Sequence, residues 1–128
     1  MTVTPVPLHT HRAPAPVGHY AQGLRIGGLL ALSGQVGIDA TTGSLADGVA
    51  AQTAQTLRNL EAVLRSAGLD LTAVVKTTCF LVDLSSFAEF DRAYGEVFGD
   101  HRPARSTIAV GLARDYLVEI EALAVVPD

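Results

Sequence analysis

One arginine and two glutamates are the residues whose types and spacing best support chemistry on a small acid. Arg105 stands at the start of a short apolar segment, and Glu119 and Glu121 follow within a second apolar segment. A guanidinium presents a planar fork of donors that fits a carboxylate. A carboxylate on a nearby strand can accept a proton from water. These residues would together hold an anionic substrate and orient a water, although a purely structural ion pair between Arg105 and either glutamate fits the same pattern.

The segment Leu117–Val125 predicts a strand with two unlike faces. Its even-numbered residues are small or aliphatic and suit packing beneath helices, whereas its odd-numbered residues combine large aliphatics with the two glutamates. Burying the second face within one chain would leave two carboxylates buried without partners, whereas leaving it in water would expose the aliphatic side chains. We therefore expect a subunit interface with polar pockets and a functional site between chains. The alternation also predicts that Arg105 and Thr107 lie on this second face, opposite the helices.

A fold of class α+β follows from the predicted element order β-β-α-β-α-β-β, with one mixed sheet and two helices packed on one face. Gly27-Gly28 between two apolar runs predicts a hairpin over Ala21–Gly34. Further strands are predicted over Val74–Asp83, Ser106–Val110 and Leu117–Val125.

Both helices have boundary residues that can be read from the sequence. Apolar residues recur at helical spacing up to Ala67, with Asp47 as the expected N-cap and Gly68 at the C-terminal end. The second helix is predicted to begin at Ser86, with Glu89 completing a capping box, and to end at Gly99. Its aromatic residues form one stripe that is interpreted as core.

The composition is that of a single domain with an oligomeric surface. Among 128 residues the charged fraction is 17%, against about 25% in average soluble proteins. Residues 1–16 are rich in proline and predict a flexible arm, followed by one domain over residues 17–128. A net charge of −4 and a single lysine argue against nucleic acid as a partner.

The cysteine and histidine residues do not indicate a metal site or a second catalytic site, and the hydropathy does not indicate a membrane segment. Cys79 is the one cysteine and falls in a predicted core strand, so it is interpreted as a buried thiol. His9 and His11 lack a third metal ligand nearby and are interpreted as solvated, so no metal is expected. No signal peptide or membrane-spanning run is evident, so we expect a cytoplasmic protein without a membrane partner.

The chain resembles the Rid family of reactive intermediate (imine) deaminases, also called the YjgF or L-PSP type. The resemblance extends from Val17 to Val125. Six segments carry it, in the family's order: Gly18–Gly23, Ser33–Gln35, Gln55–Leu60, Val75–Leu84, Pro103–Ser106 and Glu119–Ala122. The resemblance implies a chorismate-mutase-like fold and a homotrimer whose sheets form a barrel, with sites in clefts between subunits.

The resemblance also implies an activity. Family members hydrolyse 2-imino acids or their enamine tautomers, of the 2-aminoacrylate and 2-aminocrotonate type, to 2-keto acids and ammonia without a cofactor. These enamines arise from pyridoxal-phosphate enzymes that act on serine or threonine. The family's carboxylate-binding arginine matches Arg105, and its water-orienting glutamate matches Glu119. Its substrate-binding positions match Tyr20, Ser33, Gly34, Asp91 and Thr107.

The chain departs from the family pattern at three places, of which Asp91 and the loop 111–116 leave the substrate open. Asp91 replaces a helix asparagine, Thr107 stands where cysteine is frequent, and the loop 111–116 lacks a proline and is one residue shorter. Alternatives are therefore a related catabolic hydrolase with another substrate, and a module that binds small carboxylates without turnover. A holdase role also stays open, whereas the acidic balance and scarcity of lysine argue against a ribonuclease.

Overall fold

The structure, a computed structural model, describes residues 3–128 and consists of one six-stranded sheet with two helices. The strands lie in the order β1-β2-β3-β6-β4-β5, with only the β4–β5 pair parallel. The elements are β1 (Val6–Leu8), β2 (Gly23–Ile26), β3 (Leu29–Val36), α1 (Val49–Ser66), β4 (Val74–Leu81), α2 (Phe87–Phe98), β5 (Ala104–Ala109) and β6 (Val118–Val125). The predicted α+β class, mixed sheet and two helices are confirmed.

The two faces of the sheet differ as the alternation in β6 predicted. Val118, Ile120, Ala122 and Ala124 are buried in the core beneath the helices. The opposite face carries aliphatic side chains that are 37–46% exposed in this single chain. They come from five strands or their margins: Leu24, Ile26, Leu29, Val75, Ile108, Leu123 and Val125. Helices therefore cover only one side of the sheet.

Both helices end at the predicted glycines, whereas the predicted side-chain caps at their N-termini are absent. Gly68 has φ +77° and its N–H bonds the carbonyl of Arg65, while the next N–H reaches Leu64, which is a Schellman ending. Asp47 is not the N-cap of α1, because Gly48 occupies that position without a side-chain bond. Ser86 does precede α2, but its hydroxyl donates to the carbonyl of Asp83, so the predicted capping box is absent.

The proline-rich segment before the hairpin is packed on the sheet, which corrects the predicted free arm. Residues Val6–Leu8 form β1 and pair antiparallel with β2, and Leu8 and Ala13 are buried. The buried Gln22 side chain donates to the carbonyls of Thr10 and Pro14 and thereby holds the segment that follows β1. The element order gains one strand at its start. Prolines misled the prediction because an edge strand tolerates their missing N–H.

Two other expectations concern the interior and the membrane. Cys79 lies in β4 and is fully buried, as predicted, and burial raises the pKa of its thiol to about 11. Among residues 3–128, neither helix combines the length and the apolar character that a membrane crossing requires.

Candidate active site

Arg105 lies on the helix side of the sheet, which corrects the predicted face. It aligns with Thr77 in the parallel β4–β5 pair, and Thr77 is fully buried with its hydroxyl 2.7 Å from that of Tyr94. Neighbours in a parallel pair project to the same side of a sheet, so Arg105 and Thr107 both face α2. The alternation within β5 did not distinguish the two faces, because most of this edge strand is exposed.

Aromatic side chains of α2 surround the guanidinium of Arg105. Its central carbon lies 4.8 Å from the ring centroid of Tyr94, 5.4 Å from that of Phe87 and 5.6 Å from that of Phe90. Such contacts stabilise a cation over a ring face and restrict its rotation. The aromatic stripe was interpreted from sequence only as core. Its role in holding Arg105 follows from the register of β5, which the sequence pattern alone does not reveal.

Arg105 also forms one ion pair and borders a cavity. Its Nη1 donates to Asp91 Oδ1 at 2.7 Å, and the side chains are 23% and 50% exposed. A cavity of about 610 Å³ adjoins the pair and is lined by polar and aromatic residues that include Arg102 and His101. The Glu119 and Glu121 carboxylates form no ion pair with Arg105 in residues 3–128. The guanidinium is thus held at the rim of a cavity. Only its Nη1 donates to Asp91, so most of its N–H donors are not used by this ion pair.

Glu119 lies on the opposite side of the sheet, directly above a glycine. A Cβ atom added to Gly34 would lie 2.6 Å from Glu119 Oε2 and 3.0 Å from its Cδ. Gly34 on β3 and Glu119 on β6 are neighbours across an irregular stretch of the ladder, where the register shifts between Leu32 and Gln35. The absence of a side chain at Gly34 therefore makes the space that the carboxylate occupies.

Burial and a like charge raise the pKa of the Glu119 carboxyl. Partial removal from water is the larger cause, and the negative charge of Glu121 is the smaller one. Glu121 follows two residues later on the same face of β6 and is exposed. A raised pKa makes Glu119 a better proton acceptor than a solvated glutamate once it is ionised.

Ser33 directly precedes Gly34 on β3, and Tyr20 lies in the loop before β2. The Ser33 hydroxyl donates to the carbonyl of Ala21 at 2.6 Å, so Ser33 is attached to the segment that directly follows Tyr20. The Tyr20 side chain is 48% exposed, and its hydroxyl accepts a hydrogen bond from the N–H of Val17. Ser33 therefore links the segment that follows Tyr20 to the strand that carries Gly34.

The predicted site residues thus form two separate groups. Arg105, Asp91 and Thr107 lie on the helix side, whereas Glu119 aligns with Phe80 and lies on the other side. Because Phe80 aligns with Ile108, Arg105 stands two strands across and three residues along from Glu119. That separates their Cα atoms by roughly 14 Å before the side chains diverge to opposite faces. One small molecule cannot touch both groups within one chain.

Other reactive side chains near the site are unsuited to nucleophilic or base catalysis. Burial raises the pKa of Tyr94 to about 12, although its hydrogen bond with Thr77 acts in the opposite direction. The thiol of Cys79 has its pKa raised for the same main reason. Within residues 3–128, histidine, cysteine and acidic side chains form no group of three or more that could hold a metal ion.

Comparison with known proteins defines the class of this chain. The family described as endoribonuclease L-PSP matches residues 10–126. The chain therefore belongs to this family, which is the Rid family that its motifs resemble.

Among its relatives is the 2-iminobutanoate/2-iminopropanoate deaminase of Salmonella typhimurium, which is 42% identical over 120 residues, or 91% of this chain and 94% of the relative. Two solved structures are closely similar. The crystal structure of the YjgF gene product from Escherichia coli has a TM-score of 0.90 and 40% identity, covering 94% of this chain and 98% of that one. Escherichia coli TdcF with bound serine has a TM-score of 0.90 and 35% identity over the same shares.

Proposed function

We propose that this chain is a deaminase that hydrolyses 2-imino acids and their enamine tautomers to 2-keto acids and ammonia. Relatives about 42% identical over most of the chain are named 2-iminobutanoate/2-iminopropanoate deaminase. The observation that carries the proposal is the guanidinium of Arg105, held by aromatic rings at the rim of a cavity of about 610 Å³. Such a group is suited to bind the carboxylate that all these substrates share.

In the proposed reaction, Arg105 fixes the carboxylate and thereby the position of the neighbouring C=N carbon. A bidentate, charge-assisted pair with a carboxylate is planar, so it sets the orientation of the substrate as well as its affinity. The cation–π contacts with Phe87 and Tyr94 limit the motion of the guanidinium before binding. This pre-organisation lowers the entropy cost of reaching the reactive arrangement.

Glu119 acts as the base in the same proposal. It accepts a proton from a water while the water oxygen forms a bond to the imine carbon and the C=N π electrons move to nitrogen. The proton then passes from Glu119 to nitrogen and gives a carbinolamine. Glu119 next transfers the carbinolamine hydroxyl proton to nitrogen, the oxygen lone pair forms the C=O bond, and the C–N bond breaks to release ammonia and a 2-keto acid. Proton transfer of this kind typically contributes about 10²–10⁴-fold. The backbone at Gly34 and Thr107 and the ring of Tyr20 would complete the contacts with the substrate.

We also propose that the active unit is a homotrimer with each site between two subunits. Two observations support it: Arg105 and Glu119 lie on opposite faces of one sheet, and the face bearing Glu119 exposes a ladder of aliphatic side chains. A second copy would bury those aliphatics and bring its Arg105 towards the first copy's Glu119. The cytoplasmic location stays a prediction from the sequence.

Turnover tests the reaction. An L-amino-acid oxidase generates the 2-imino acid from leucine or methionine, semicarbazide traps what remains, and catalysed hydrolysis lowers the trapped fraction. We expect Arg105→Ala to abolish the effect without changing the oligomer, and Arg105→Lys to restore little because an ammonium lacks the planar fork. Arg105→Ala activity within a few-fold of wild type would contradict the role. Binding of 2-keto acids by a wild type without turnover would favour the non-catalytic alternative.

Mixed oligomers test the placement of the site between subunits. Arg105→Ala and Glu119→Gln are each expected to be inactive alone. If each site takes Arg105 and Glu119 from different chains, co-refolding equal amounts should restore about one quarter of the sites. Separately refolded variants that are then mixed without exchange serve as the control. No recovery in verified mixed oligomers would place both residues of a site in one chain.

A further inference from the structure

The guanidinium assigned to the substrate already contacts a carboxylate of its own chain. Asp91 Oδ1 accepts from Arg105 Nη1 at 2.7 Å, and the Asp91 side chain is half exposed beside the cavity. We propose that Asp91 is a specificity-determining residue that competes with the substrate carboxylate for Arg105 and also orients the guanidinium. This inference rests on the proposed function of the site.

The geometry leaves one edge of Arg105 for a ligand. A guanidinium has five N–H donors, and a carboxylate pairs with two of them along one edge. The Asp91 contact is made through Nη1, and among residues 3–128 neither Nε nor Nη2 of Arg105 has a hydrogen-bond partner, so the edge that these two form can accept a bidentate pair. The ring of Tyr94, whose centroid lies 4.8 Å from the central carbon of the guanidinium, restricts the orientation of the guanidinium plane. Asp91 thereby determines which edge meets the ligand.

The charge of Asp91 works against the ligand that this edge binds. A substrate carboxylate on the open edge and Asp91 on Nη1 share one positive charge and repel each other across it. For partly solvated charges at such separations, the repulsion lowers affinity by about threefold to tenfold. The cationic side chain of Arg102 lines the same cavity. The cavity therefore still attracts anions, and Asp91 reduces their affinity without preventing binding.

The resemblance to the Rid family supplies the informative substitution, because typical members have asparagine at this position. Asp91→Asn keeps the size of the side chain and an oxygen that accepts from Nη1, while removing the charge. Asp91→Ala removes both. The pair therefore separates competition, which both variants abolish, from orientation, which only the alanine variant loses.

Binding of 2-oxobutanoate measured by calorimetry tests the inference, because this stable 2-keto acid carries the same carboxylate as the proposed product. We expect Asp91→Asn to bind it about threefold to tenfold more tightly than wild type, with KM lowered and kcat within about threefold. Asp91→Ala should bind more weakly than Asp91→Asn. Glu96→Gln, the same loss of charge at an exposed site on α2, is the matched control and should change neither constant.

The outcomes separate this inference from the proposed function. Unchanged or weaker 2-oxobutanoate binding in a folded Asp91→Asn variant would overturn the competition, whether or not the wild type turns over imines. Equal binding by the alanine and asparagine variants would overturn the orienting role. Tighter binding by Asp91→Asn in a protein without deaminase activity would support the competition and reject the reaction.

Discussion

Replacing Gly34 by alanine should impair catalysis far more than folding. The added Cβ would lie 2.6 Å from Glu119 Oε2 and 3.2 Å from its Cγ, closer than an ordinary contact of 3.4 Å or more. The atoms it meets are a flexible side chain, so the carboxylate must move by about 0.8 Å or more while the backbone stays in place. A misplacement near 1 Å can reduce turnover by about 10²-fold. The stability cost should remain below about 1.5 kcal/mol, because the clash is relieved by rotation.

The assay combines imine hydrolysis with thermal unfolding. We expect Gly34→Ala to lower kcat/KM by about 10²-fold and to leave 2-oxobutanoate binding within a few-fold of wild type. Gly28→Ala is the matched control, because a Cβ there meets nothing within 4 Å. Wild-type kcat/KM in Gly34→Ala would refute the position assigned to the catalytic carboxylate. If Gly34→Ala unfolds while Gly28→Ala stays folded, the clash is not relieved by movement of the Glu119 side chain alone, and the reasoning is refuted.

Two further changes extend this reasoning. Glu121→Gln removes the smaller cause of the raised Glu119 pKa, so this pKa should fall. The acidic limb of the pH profile of kcat/KM should then move to lower pH, and a shift to higher pH would contradict the coupling between the two carboxylates. Gly37→Ala places a Cβ 2.7 Å from the Cα of Gln52 in α1, where backbone must move, so unfolding should become easier by about 1–3 kcal/mol, as thermal melts would detect against Gly28→Ala.

Periodicity predicted the parts of the fold that depend on local sequence. The two-faced β6, the hairpin at Gly27-Gly28 and the endings of both helices at glycine follow from spacing and backbone freedom, and all are confirmed. Asp47 was wrong as a cap because several polar residues near a helix start satisfy the same rule. The strand at Val6–Leu8 was missed because its pairing partner, β2, is not encoded in its own pattern.

The sequence named residues for the candidate site but not their arrangement. The motifs implied Arg105, Glu119 and Gly34, and in the structure the Glu119 carboxylate occupies the space that a side chain at Gly34 would fill. The face of Arg105 was predicted wrongly, because alternation fixes only relative orientation and β5 pairs in parallel with β4. The partnership of Asp91 with Arg105 spans a helix and an edge strand. Such a contact depends on how α2 lies over the sheet, which no local pattern specifies.

In the proposed homotrimer, the division of the candidate site between two faces would link assembly to the activation of Glu119 as a base. The helices leave one face of the sheet with exposed aliphatics, and Glu119 already has a raised pKa there because it is partly removed from water. Covering that face with a second copy would bury the aliphatics and withdraw more water from Glu119, which raises its pKa further. In the proposed homotrimer, the edge strand β5 of another copy would also bring its Arg105 guanidinium to this carboxylate. Hydrophobic association would then supply both the missing charge and the environment in which the carboxylate acts as a base.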